Sequence, residues 1–122
     1  MLKMKAVVGR SFSRGVINTI NAPQAIGPYV QGTTYNELVF TSGQIGLLPN
    51  GEKEFLTIQE QSHQVMKNLK TVLEAGGSDM SSVLKCTCFI TDMNNFAAFN
   101  EVYTQYFEDL PLPARSCVEV PR

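Results

Sequence analysis

After Arg14 the next arginine of this chain is Arg115, and only Arg122 follows it. A guanidinium does not shed its proton inside a protein, so an arginine placed in an apolar strand must meet an acceptor. Strand alternation over residues 114–120 puts Arg115, Cys117 and Glu119 on one face and Ser116, Val118 and Val120 on the other. Two readings are open. The fork pairs with Glu119 or another carboxylate of the chain, or it receives a substrate carboxylate or phosphate bidentately.

Other residues could join that chemistry. Gly27-Pro28 sets a turn from which Tyr29 projects a hydroxyl, although tyrosines in such places pack more often than they bind. Thr41-Ser42-Gly43-Gln44 closes a strand, where hydroxyls and free amides line clefts. Asn100 lies in a helix between Phe99 and Val102, where most asparagines are merely solvated. Cys117 is either a nucleophile or a small buried hydrophobe, and no histidine stands ready to activate it. His63, the only histidine, falls mid-helix as a surface or core-edge residue and completes no Ser/His/Asp set. Cys86, Cys88 and Cys117 are odd in number and follow no secretory signal, which reads as free thiols in a reducing compartment. Cys86 and Cys88 lack the two-residue spacer of zinc sites and His63 sits on another element, so no metal is expected.

Composition bounds the rest. A chain of 122 residues, 43% apolar and 17% charged, suits a single domain over 1–122 with a core that needs no staples. A net charge of −1 counts against nucleic acid as a partner. Lys3, Lys5, Arg10 and Arg14 precede the first acid, Glu37. Residues 1–14 thus form a basic lead-in, compatible with a mitochondrial presequence or with a plain entry to the first strand. No apolar run nears the roughly eighteen residues that span a bilayer. A soluble, cytoplasmic protein is the expectation.

The elements that must position these residues follow from pattern. Residues 15–20, 28–33 and 37–42 read as strands, with a turn at Pro49-Asn50-Gly51. Ile58, Val65, Met66, Leu69, Val72 and Leu73 make one helical stripe, begun by a Thr57/Glu60 capping box and stopped at Gly76-Gly77. Residues 82–91 form a strand. A second helix carries Phe96, Phe99, Val102, Tyr103, Tyr106 and Phe107, capped by Asp92 or Asn94 and ended by Pro111 and Pro113. Residues 114–120 close the chain. The order β-β-β-α-β-α-β predicts an α+β domain with two helices on one face of a mixed sheet. Its other face has no third layer to cover it, which points to self-association.

Taken together, Ala25-Ile26-Gly27-Pro28-Tyr29-Val30-Gln31-Gly32, Thr41-Ser42-Gly43-Gln44-Ile45, Phe89-Ile90-Thr91-Asp92, Phe96-Ala97-Ala98-Phe99-Asn100 and Pro113-Ala114-Arg115-Ser116-Cys117-Val118-Glu119-Val120 resemble the RidA/YjgF family, also labelled endoribonuclease L-PSP. The resemblance runs from about Ala22 to Arg122. It implies a chorismate-mutase-like fold, a homotrimer around a central barrel, and active sites in clefts between subunits. It implies cofactor-free hydrolysis of 2-imino acids, such as 2-iminobutanoate and 2-iminopropanoate, to 2-keto acids and ammonia. Arg115 would then clamp the carboxylate, while Tyr29, Ser42, Asn100 and Cys117 orient substrate and water, Cys117 chiefly through its backbone. The family pattern continues beyond Pro121-Arg122 into a last strand whose glutamate holds the water; this chain ends at Arg122, and Glu119 belongs to the strand before. Two other readings accompany the deaminase: a trimer that binds small carboxylates without turnover, and a ribonuclease or translation inhibitor. The last lacks a histidine pair, a metal cluster and a basic stripe.

Overall fold

In the computed structural model, residues 1–4, 6, 13–54 and 57–122 are described. Lys5 and Arg10 of the basic lead-in therefore lie outside the described residues. The order is β1 (Gly15–Ile17), β2 (Gly32–Tyr35), β3 (Leu38–Thr41), α1 (Ile58–Ala75), β4 (Lys85–Ile90), α2 (Phe96–Gln105) and β5 (Ala114–Glu119). The element order read from the sequence thus stands. Among the described residues no helix is long and apolar enough to cross a membrane.

Pairing divides the strands differently from one mixed sheet. β1, β2 and β3 form an antiparallel sheet in that order, while β4 and β5 pair parallel in a second sheet. Backbone hydrogen bonds do not join the two. They meet through side chains, because Val39 of β3 and Cys86 of β4 both pack on the core of Met66, Leu73, Met80, Tyr103 and Phe107. A smaller cluster of Ile17, Ala22 and Val72 continues it beneath β1.

Local signals explain the helices. Thr57 accepts from the Glu60 amide at 3.1 Å and Glu60 returns the bond to the Thr57 amide at 3.0 Å, so the capping box forms as spaced. Gly77, at φ +82°, supplies the left-handed stop after Gly76. α2 is entered through a 3-10 turn, Met93–Asn95, capped by Asp92 rather than Asn94. It ends at Gln105, ahead of both prolines. Tyr106 and Phe107 continue the packed stripe from a turn that closes at Asp109, φ +59°, a conformation aspartate tolerates.

The second strand is shifted from the sequence expectation. Residues 28–31 are a loop, because the Tyr29 amide turns back onto the Gly27 carbonyl at 2.8 Å. Ladder pairing starts only at Gly32, opposite Ile17 on one side and Thr41 on the other. A Cβ at Gly32 would stand 2.8 Å from the Phe40 carbonyl oxygen and 3.0 Å from Ile17 Cδ1. Because the carbonyl is fixed by the β2–β3 ladder and Ile17 by the core, Gly32→Ala is expected to lower stability by about 1–3 kcal/mol. A urea midpoint equal to wild type would refute this close approach.

Candidate active site

Arg115 resolves its two sequence readings in an unforeseen way. Its Nη1 donates to Asn100 Oδ1 at 2.7 Å, from the start of β5 to the face of α2. Glu119 is not its partner: that carboxylate accepts the Met93 amide at 2.7 Å and fixes the turn into α2. The guanidinium carbon lies 4.6 Å from the Tyr103 ring centre, 5.5 Å from Phe96 and 5.9 Å from Phe99. Rings spaced by three and four residues on α2 therefore supply a π surface for a cation that no carboxylate among the described residues pairs with. One nitrogen of the fork is held by Asn100, a neutral acceptor, so the full positive charge remains available to an anion.

Cys117 follows Arg115 on the same strand face and pairs in register with Cys88 of β4. All three cysteines are free and half-buried. Burial, with Cys117 and Cys86 alongside, pushes the Cys88 thiol up to about 11. Burial, then the adjoining Cys86 thiol, also raises the Tyr103 phenol above its usual range. These neighbours stay uncharged at neutral pH and leave the local charge to Arg115.

Tyr29 and Ser42 lie elsewhere. They border an open cleft of about 500 Å³ together with Arg14, Gly27, Pro28 and Val30. Tyr29 is half exposed. Ser42 Oγ donates to the Val30 carbonyl at 2.5 Å, which aims its lone pairs away from that bond. Asn100, Arg115 and Cys117 do not border this cleft. The five sequence candidates are thus brought together as two groups, Tyr29 with Ser42 and Asn100 with Arg115 and Cys117, which do not share a cleft within one chain. His63 takes no part; it sits at the core edge, with Nδ1 3.2 Å from the Tyr106 hydroxyl.

Two buried amides hold the first group in place, and sequence pattern did not single them out. Gln31 Oε1 accepts the Thr19 amide at 2.7 Å, while its Nε2 donates to the Thr19, Ala22 and Pro23 carbonyls. This ties the loop bearing Tyr29 to the turn after β1. Asn68 of α1 donates to the Ile45 and Leu47 carbonyls at 3.0 and 2.8 Å, anchoring the segment after Ser42. Gln64 supports it by donating to Asn68 Oδ1 at 2.8 Å. The absence of an apolar residue from α1's inward face at 64 and 68 was the available signal.

Comparison with known proteins fits this geometry. The family model described as Endoribonuclease L-PSP matches residues 19–122. The chain belongs to the RidA/YjgF family. Within it, the chain is 43% identical over 108 residues to the 2-iminobutanoate/2-iminopropanoate deaminase of Salmonella typhimurium, covering 87% of this chain and 84% of that protein. The crystal structure of TdcF from Escherichia coli with bound serine is 45% identical with a TM-score of 0.84, covering 88% and 86% of the two chains. The YjgF structure from Escherichia coli is 42% identical with a TM-score of 0.84 over the same shares. Like these relatives, this RidA/YjgF chain is an α+β protein. Relatives named deaminases support imine deamination in general as its line of work.

The raised Cys88 thiol gives a direct check. A thiol titrating near 11 is about one part in a hundred thiolate at pH 9, and only the thiolate alkylates. Iodoacetamide labelling of Cys88, followed by peptide mass spectrometry, should stay slow at pH 9 and rise steeply only toward pH 11. Labelling that levels off by pH 9 would contradict the burial described.

Proposed function

We propose that this chain hydrolyses small 2-imino acids, among them 2-iminobutanoate and 2-iminopropanoate, to 2-keto acids and ammonia. We place the reaction in clefts between the subunits of a cytoplasmic homotrimer. The observation that carries the reading is Arg115: a charged fork oriented by Asn100, set over three aromatic rings, with no carboxylate among the described residues to pair with it. Such a group suits the carboxylate that every 2-imino acid carries. The relative named for these two substrates, and the small amino acid bound in the related TdcF structure, support the same substrate class.

The chemistry asks little of the protein. The imine carbon is already electrophilic. Water adds to it, the nitrogen takes a proton, and the carbinolamine loses ammonia as the C=O bond forms. Arg115 holds the carboxylate, and Tyr29 and Ser42 offer hydroxyls to the imine nitrogen and the incoming water. The backbone at Cys117 completes the orientation. Positioning and modest proton transfer suffice, and no step calls for a cofactor.

The homotrimer rests on two observations. Tyr29 and Ser42 do not share a cleft with Arg115 in one chain, so a complete site would join one group from each of two subunits. The strand faces turned away from the helices expose Val16 (58%), Phe40 (56%) and Phe89 (68%), with Val118 paired beside Phe89. Burying such a face contributes roughly 25 cal/mol per Å².

Keto-acid release from freshly generated 2-iminobutanoate, with semicarbazide reporting the surviving imine, tests the reading on this protein. Arg115→Ala is expected to lower kcat/KM by about a hundredfold, the worth of a charge-assisted bidentate contact. Tyr29→Ala should also be impaired. Unfolding and refolding the two inactive variants together should restore part of the activity, because some mixed clefts regain both groups. No restoration would refute shared sites. A wild type that binds carboxylates yet speeds no release would make the protein a binder instead.

A further inference from the structure

The cleft beside Tyr29 contains more cation and more room than the proposed reaction uses. Among the described residues Arg14 is the only charged one bordering it, facing Tyr29 and Ser42 from the position just before β1. It has no hydrogen-bond or ion-pair partner among the described residues. Its place is set by the ladder: Gly15, the next residue, pairs with Thr34 of β2, and β2 follows directly on the loop that carries Tyr29. A cleft of about 500 Å³ is of the size that takes ligands well beyond a four-carbon acid. By sequence alone Arg14 is one residue of a basic lead-in.

We propose that Arg14 is a specificity residue that receives a second carboxylate, at the far end of the substrate side chain, so that the preferred substrates are 2-imino dicarboxylic acids. This rests on the deaminase reading above. The α-carboxylate sits on Arg115, the imine lies between, and the distal carboxylate meets the Arg14 fork. A neutral side chain such as that of 2-iminobutanoate leaves Arg14 solvated and gains nothing from it. Arg14 acts on binding of the distal group and moves no proton, so its effect falls on KM. The matched pair for the test is 2-iminosuccinate against 2-iminobutanoate, which have equal carbon number and differ in the terminal carboxylate.

Both imines would be generated in situ by amino-acid oxidases and followed as keto-acid release. Wild type is expected to favour 2-iminosuccinate in kcat/KM. Arg14→Gln should cut that ratio about tenfold, mainly through the KM for 2-iminosuccinate, and Arg14→Lys should restore part of it. An active wild type whose ratio is unmoved by Arg14→Gln overturns the proposal while leaving the deaminase reading intact. If wild type hydrolyses neither imine, the deaminase reading falls, and calorimetric binding of succinate against butanoate decides Arg14 separately. A preference for succinate that Arg14→Gln abolishes upholds the second anion site; equal binding of the two acids overturns it.

Discussion

A guanidinium that keeps its charge on the helix-facing side of a strand constrains everything around it. Arg115 cannot shed its proton, and among the described residues no carboxylate pairs with it. The fold meets the demand with an asparagine acceptor and three aromatic faces on α2. That arrangement requires β5 to lie against α2 in one register, and the parallel pairing of β5 with β4 provides it. Glu119 contributes from the end of the same strand by capping the turn into α2 rather than by pairing with the arginine. Burial keeps the Cys88 thiol of the same ladder neutral, so it leaves that charge undiluted.

The other group of polar residues is held by a different kind of constraint. Gln31 and Asn68 are almost wholly buried, and a buried amide must find its partners. Both find them on loop carbonyls, so two irregular segments, around Tyr29 and after Ser42, are tied down by buried side-chain amides. Loops held in this manner can present hydroxyls to a cleft without the entropy of a floppy lid. Placing one group on pinned loops and the other on a helix–strand interface separates them within the chain. That separation is what makes assembly part of the proposed chemistry.

Much of this was legible in the sequence. The Thr57/Glu60 capping box and the stripe of α1 depend on residues three and four apart, so local spacing determines them whatever the rest of the chain does. Alternation in residues 114–120 likewise put Arg115, Cys117 and Glu119 on one face, as observed. The family motifs around Tyr29, Ser42 and Arg115 also pointed to the right family. The strand expected at 28–33 failed because a local turn at Tyr29 and a buried glutamine outweighed its extended look.

Tertiary structure alone decided who meets whom. Arg115 joins Asn100, Glu119 joins the Met93 amide, and Arg14 arrives beside Tyr29 and Ser42. Each of these pairs lies on separate elements, 15 or more residues apart. Periodicity tells which face a residue occupies but carries no information about the register between elements. That register comes from packing of the whole core. The sequence by itself therefore named the chemistry-bearing residues and their faces, while the folded chain sorted them into two groups and added Arg14 to one.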